Sequence, residues 1–302
     1  MQGTVKTVKT NNSIVKFKHA ITPYLFVLPN ILIFSIFIVI PALLGFLYSF
    51  HDYDGLNDME FLGLANYAEL LTDPEFWSVM ARTFVYAGSV VPLLYICSLG
   101  IAMLLIQEIR LKGLFRAVFY WPVMVSFIIV GLTWKWIFGS SFGILNYMLE
   151  QAGLTAVGWL TDAFWAKVSI ITATLWSRIG FYMVIFIAGL QAIPNDYYEA
   201  ARIDGASRLR IFVRITLPLL KPTSLLVVVL SLIEAMKQYP LMYALTGGGP
   251  GKATKNIVQH IYEAGFEKLE LGTASAMSVV LFLVIALFTL IQFKMAKGGS
   301  YE

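Results

Sequence analysis

The chain has 302 residues, of which 58% are hydrophobic, 15% aromatic and only 13% charged, with a net charge of +4 and a mean hydropathy of +0.75. Soluble domains average roughly 45–50% apolar and about 25% charged residues, so this composition excludes a soluble globular domain and requires lipid as solvent. The single cysteine, Cys97, excludes an internal disulfide, and His19, His51 and His260 are too scattered for a zinc ligand set.

A hydrocarbon core about 30 Å thick needs roughly 20 mostly apolar residues per helical crossing. Six stretches qualify, at 24–50, 83–106, 117–137, 168–190, 222–238 and 272–293. They predict an all-α polytopic membrane protein with six transmembrane helices. The fifth stretch is short, and its apolar run continues from Leu241 to Leu245 past Pro240, so a bend is expected near its outer end. Residues 1–20 are polar, the first apolar run is too long for a signal-peptide core, and no small-residue cleavage site follows it, so the first span is expected to stay in the membrane.

Charge sets the orientation. The segments 1–23, 107–116, 191–221 and 294–302 hold 14 Lys or Arg and 5 acidic residues, whereas 51–82, 138–167 and 239–271 hold 5 and 12. The positive-inside rule therefore predicts cytoplasmic tails at 1–23 and 294–302, an extracytoplasmic acidic loop at 51–82, and a core at 83–293 with a long cytoplasmic connection at 191–221. In the acidic loop, Asp52, Asp54, Asp58, Glu60, Glu69, Asp73 and Glu75 lack the alternating ligand spacing of a calcium loop and read as a solvated surface. Residues Leu245 to Ala253 look superficially like a phosphate loop. Thr246 stands where the first Gly is required, and Ala253 replaces the hydroxyl that would hold magnesium, so the segment reads as a glycine-rich turn and no ATP hydrolysis is expected of this chain.

The connection 191–221 reads as two short helices. Asn195 or Asp196 is expected to cap the first, with Glu199 in its first turn, Gly205 as a left-handed stop, and Ser207 opening the next helix. Small Ala200 and Ala201 beside Gly205 suit close docking of another protein, although a solvated amphipathic connector has the same composition.

The string Glu199-Ala200-Ala201, then Gly205 after three residues, Ile215 after nine more, and Leu217-Pro218 resembles, at every defined position, the EAA motif of binding-protein-dependent ABC importers. From about 80 to 293 the chain is further similar to the carbohydrate-uptake permeases, of the kind represented by the larger maltose permease subunit. That similarity includes Phe115-Arg116 with Pro122, Gly143-Ile144-Leu145-Asn146, Ala188-Gly189-Leu190-Gln191, Ile203-Asp204-Gly205-Ala206 and Leu245-Thr246-Gly247-Gly248-Gly249-Pro250. The resemblance implies a type I ABC importer permease fold in the cytoplasmic membrane of a bacterium or archaeon. It implies that Glu199, Ala200, Ala201, Asp204 and Gly205 belong to a coupling helix seated in a cleft of an ATPase subunit. The implied partners are a second permease subunit in a pseudo-symmetric heterodimer, two ABC ATPase subunits that use ATP and Mg, an extracytoplasmic solute-binding protein and a small carbohydrate. No cofactor of its own and no nucleic acid are implied. The chain departs from the family at Gln238-Tyr239-Pro240, where many sugar permeases carry an aromatic-Asp pair.

A charge near mid-bilayer costs roughly 2.5–3.5 kcal/mol on insertion scales, so polar residues inside spans ask for a reason. On the fourth span Thr174, Ser177, Arg178 and Phe181 are spaced i, i+3, i+4, i+7; on the fifth, Ser231, Glu234 and Gln238 are spaced i, i+3, i+7. Both faces are expected to point inward, and they stand in register with positions lining the sugar site of the maltose permease, with different residue types. Two readings stay open: a substrate pathway supplying donors, acceptors and an aromatic face, or an Arg178–Glu234 bridge that only neutralises two buried charges. Trp134, Trp136, Trp159, Trp165 and Tyr243 read as an interfacial belt rather than sugar platforms, and Cys97 as inert packing. Competing functions are the same importer architecture carrying a glycerol phosphate-type polyol derivative, and an independent channel or secondary transporter. The coupling motif and the lack of an inverted hydropathy repeat count against the latter. A membrane enzyme would need a HExxH, a nucleophile triad or clustered carboxylates on one helical face, which the sequence lacks.

Overall fold

A computed structural model describes residues 24 and 26–297. The expected tail at 1–23 and the end of the expected tail at 294–302 lie outside the described residues. The first long helix, α1 (Phe26–Tyr48), leads into a two-residue antiparallel ribbon, β1 (His51–Asp52) against β2 (Glu60–Phe61), and then a short α2 (Ala65–Thr72). Asp54 folds the ribbon's turn by accepting from the backbone N–H of Leu56 (2.9 Å) and Asn57 (2.8 Å), and these bonds hold its carboxyl below the usual range.

The next helix, α3 (Pro74–Ile106), begins well before the expected start at 83. Asp73 sits extended and accepts from Glu75 N (2.8 Å) and Phe76 N (3.2 Å), while Pro74 takes the first helical position. Acidic residues that looked like loop are therefore the cap and first turn of a helix. The same device opens α7 (Ala163–Gln191), where Asp162 accepts from Phe164 N (2.9 Å) and Trp165 N (3.0 Å).

The expected third span, 117–137, is broken. Helix α4 (Lys112–Tyr120) runs into a single 3-10 turn at Trp121–Met124, the backbone extends at Val125 and Ser126, and α5 (Phe127–Ile137) leaves at 101° to the first half. Pro122 starts the tight turn, and α5 is held in its new direction by packing on α11 (Pro240–Thr246). Between them lie α6 (Ile144–Gln151), the motif-bearing α8 (Asn195–Ile203), α9 (Arg208–Leu219) and α10 (Lys221–Met236), the last two meeting at 69°. The bend expected near Pro240 is a full break, since Pro240 lacks the N–H that would continue α10 and instead opens α11. Helices α12 (Ile257–Tyr262) and α13 (Leu271–Lys297) complete the chain.

Among the described residues four helices are long and apolar enough to cross a membrane, α1, α3, α7 and most of α13, and the count reaches six when each bent pair is one crossing. The core is centred on α3 packed along α7, with α10 against α3; Val79, Val90, Ala102, Ala173, Met183, Phe186 and Val227 are fully or nearly fully buried there. Gly180 allows the broken span to touch α7, because a side chain there would collide with the carbonyl of Phe119. By contrast α1 buries none of its apolar window and touches mainly α13, leaving Phe26, Phe37 and Leu43 outward as a lipid-facing surface.

Candidate functional site

Where α3, α7 and α10 converge, the polar residues of two different spans meet. Arg178 Nη2 lies 2.5 Å from Glu234 Oε1, with the two side chains 22% and 29% exposed. The other carboxylate oxygen, Oε2, accepts from the Tyr182 hydroxyl at 2.8 Å, and the Arg178 guanidinium lies 4.1 Å from the centre of the Phe127 ring on α5. Both charges are thus compensated inside a low-dielectric bundle. Thr174 bonds its own helix at the Ile170 carbonyl (2.8 Å) and meets the Tyr86 hydroxyl (3.0 Å), which brings α3 into the cluster.

Thr174, Arg178, Ser231, Glu234 and Gln238 line one small void together with Tyr86, Val90, Leu94 and Ala235. Its volume, about 10 Å³, holds about one water molecule and no sugar ring. The donors around it are under-used. Gln238 is 4% exposed yet its Nε2 has no partner, and Arg178 Nε is buried without one. Two of the expected residues stand apart from the void. Ser177 is buried and bonds back to the Thr174 carbonyl (3.0 Å), and Phe181 packs edge-on against Tyr182. The residues that sequence reasoning passed over are Tyr86, Phe127 and Tyr182. A tyrosine inside an apolar span was the available signal, since a buried hydroxyl must find a partner.

The second candidate region lies at one end of the bundle. Helix α8 carries the Glu199-Ala200-Ala201 string, with Glu199, Ala200, Asp204 and Gly205 exposed, flanked by Tyr197 and Ile203, which is 87% exposed. Of the small residues expected to form one docking surface, Ala201 instead packs inward at 8% exposure. Neither Asn195 nor Asp196 caps the helix. Pro194 sits extended at the cap position without a side-chain bond, so both lie inside the first turn, where Asp196 takes the favourable position expected of Glu199. Gly205 adopts φ +73°, and Ala206 N reaches back to the Ala201 carbonyl (2.9 Å), the left-handed stop the sequence suggested. Ser207 Oγ then accepts from Arg210 N (3.4 Å) to start α9. A groove of about 1010 Å³, lined by Gln107, Pro194, Tyr198, Arg202 and Phe212 among others, sets α8 off from the helices behind it.

At the opposite end, the glycine-rich segment is closed by its own hydroxyls: Thr254 Oγ1 meets Thr246 Oγ1 (2.7 Å) and donates to the Gly249 carbonyl (2.7 Å). The tryptophans divide. Trp134 stacks on Phe138 (5.0 Å) and Trp159 packs on Trp165 (5.0 Å) while donating to Asn146 Oδ1 (3.0 Å), whereas Trp136 is 82% exposed.

Comparison with known proteins gives these two regions their setting. The family described as "Binding-protein-dependent transport system inner membrane component" matches residues 74–297. The trehalose/maltose transport system permease protein MalF of Thermococcus litoralis is 35% identical over 94% of this chain and 96% of its own length. The sn-glycerol-3-phosphate transport system permease protein UgpA of Agrobacterium fabrum is 34% identical over 94% of this chain and 97% of its own. Among solved structures, a chain of a bacterial ABC transporter involved in the import of the acidic polysaccharide alginate superposes with a TM-score of 0.79 at 22% identity, covering 96% of this chain and 100% of that one. With the family match spanning most of the chain and both permeases aligned nearly end to end, this protein belongs to the inner-membrane permease components of binding-protein-dependent ABC transport systems.

Proposed function

We propose that this chain is one of two permease subunits of an ATP-driven importer and moves a sugar or oligosaccharide inward by alternating access. The observation that carries the reading is the juxtaposition, in one bundle, of an exposed α8 with Glu199, Ile203 and the following Asp204 laid open and a closed polar cluster between α3, α7 and α10. A helix that displays apolar and acidic side chains to solvent is suited to seat in another protein, and here the motif on it matches that of coupling helices. In this arrangement α8 faces the cytoplasm, both termini are cytoplasmic, and two separate ATPase subunits bind and hydrolyse ATP with Mg. A solute-binding protein delivers cargo at the glycine-rich end.

The one-water void fits a closed pathway that opens when two permease subunits rock apart, with Arg178, Gln238 and Thr174 then turned toward the sugar's hydroxyls and Phe127 available to a ring face. The names of the sugar-transporting relatives support the cargo class. The test is ATP-dependent uptake by proteoliposomes holding the chain with its neighbouring-gene partners, presented with maltose, trehalose, maltodextrins and sn-glycerol 3-phosphate. Sugar accumulation that needs ATP and the binding protein is the expected result. Azide-insensitive ATP turnover by the purified subunit alone, or accumulation without ATPase partners, would refute the reading.

A further inference from the structure

On the glycine-rich side of the polar cluster a second cavity, of about 520 Å³, is lined by Ser78, Arg82, Val85 and Ser89 of α3, Lys167 and Ile170 of α7, and Thr254 to Asn256 among others; it shares Tyr86 with the void below. Its size falls within the roughly 300–1,000 Å³ of small-molecule sites. Along α3, Arg82 stands one turn before Tyr86, and along α7, Ile170 stands one turn before Thr174, so the cavity continues the line of the cluster toward that end.

Three cations, Arg82, Lys167 and Lys255, line this space, and among the described residues no carboxylate does. Lys255 is spoken for: it is buried, and its ammonium is held by Glu263 and by Glu75 at 3.5 Å. Its backbone carbonyl accepts from Arg82 Nε (3.3 Å), and Ser78 Oγ accepts from Arg82 Nη1 (3.0 Å), which fixes the guanidinium while leaving most of its N–H donors uncommitted. Among the described residues, neither Arg82 nor the exposed Lys167 has a carboxylate within 4.0 Å. Lys167 lies near the start of α7, where the helix dipole does nothing to compensate it. Uncompensated cations against the apolar walls of Val85, Ile170, Ile171 and Met242 focus a positive field into the cavity.

We propose that this cavity is an entry site for an anionic cargo, in which Arg82 and Lys167 bind the carboxylate or phosphate of an acidic sugar derivative on its way to Arg178 and Gln238. The inference rests on the importer reading above and narrows its substrate class. A lipid headgroup offers the same phosphate chemistry, but the extension of the cavity inward to Tyr86 favours the cargo.

The test is equilibrium dialysis on the complete importer in an uncharged detergent, with labelled digalacturonate and maltose as probes. Digalacturonate is expected to bind at least roughly tenfold tighter than maltose, and to weaken as salt rises. Lys167→Gln, at a side chain without bonds to lose, should weaken it roughly tenfold, with Lys167→Arg restoring most of the loss and Arg82→Gln acting in the same direction. Equal affinity for both probes, or an unchanged Lys167→Gln, would overturn the proposal. So would a site that retains phosphatidylglycerol through purification, loses it in Lys167→Gln and ignores digalacturonate. Maltose binding and ATP-driven sugar uptake without digalacturonate binding would sink this inference alone; no ATP-driven uptake of any sugar would sink the importer reading beneath it.

Discussion

Helix α8 and the Arg178–Glu234 cluster are built by opposite means. The helix is local: a left-handed Gly205 ends it, Pro194 begins it, and Glu199 and Ala200, proposed to couple it to a partner, face solvent. The cluster is entirely tertiary, assembled from α3, α5, α7 and α10 across more than fifty residues of sequence, with its donors turned inward. Substitutions on the helix should therefore strike function without folding, whereas breaking the cluster's ion pair should strike folding first and function second.

The largest expected effect follows from that asymmetry. Glu199→Lys changes an exposed residue that makes no side-chain bond, so the subunit should reach the membrane at normal level while uptake falls roughly a hundredfold and the ATPase subunit no longer co-purifies. Normal uptake with normal co-purification would reduce α8 to a connector.

Next in size are the single changes Arg178→Ala and Glu234→Ala. Breaking a fully buried ion pair costs roughly 3–5 kcal/mol, and since both side chains are about a quarter exposed a loss of about 2–3 kcal/mol is expected, seen as lower membrane level and earlier thermal unfolding. Substituting both should recover most of it, because no lone charge is left behind. Recovery is the signature of a pair; equal losses that add would show two independent roles.

Tyr182→Phe sharpens the same point with a smaller change. It removes one hydrogen bond to a carboxylate, about 1.5–3 kcal/mol when fully buried and nearer the low end here, without unpairing Arg178. Subunit level should stay close to normal while uptake slows by roughly three- to tenfold, a modest cost measured by initial rates.

How far these regions were legible in the sequence follows from the same contrast. The left-handed stop at Gly205 could be placed from the local sequence because local geometry decides it, the EAA string was marked by its resemblance to the importer motif, and the inward facing of Arg178 and Glu234 followed from helical period. The break at Val125-Ser126 could not, because an apolar run with one proline looks like a continuous span until α11 is there to hold α5 aside. Phe181 was expected at the site and Tyr182 was not, although only one of the two carries a hydroxyl that must be satisfied. The cap of α8 was misassigned because Pro194 already fixes an extended backbone before it.

The smallest effect is one of pH at the glycine-rich end. Burial holds the His260 imidazole below its usual 6.5, with Lys255 acting the same way and Glu75, Glu263 and Asp73 opposing. A depressed folded-state value means that the unfolded chain takes up the proton first, so stability present above pH 6.5 is lost as pH falls toward the folded value. A thermal midpoint on the order of 1–2 °C lower at pH 5 than at pH 7.5, flattened in His260→Gln, is the expected scan.

The polar faces of α7 and α10 either carry solute or merely neutralise one another. Initial uptake rates across substrate concentration, measured for Gln238→Ala and for Arg178→Ala with Glu234→Ala at matched membrane levels, answer that most directly. Gln238 Nε2 is buried without a partner, so loss of this side chain should leave folding intact and raise the half-saturating concentration roughly tenfold, and the paired substitution should fold yet transport poorly. Wild-type kinetics from both well-expressed variants would contradict the account and leave Arg178–Glu234 as a structural bridge.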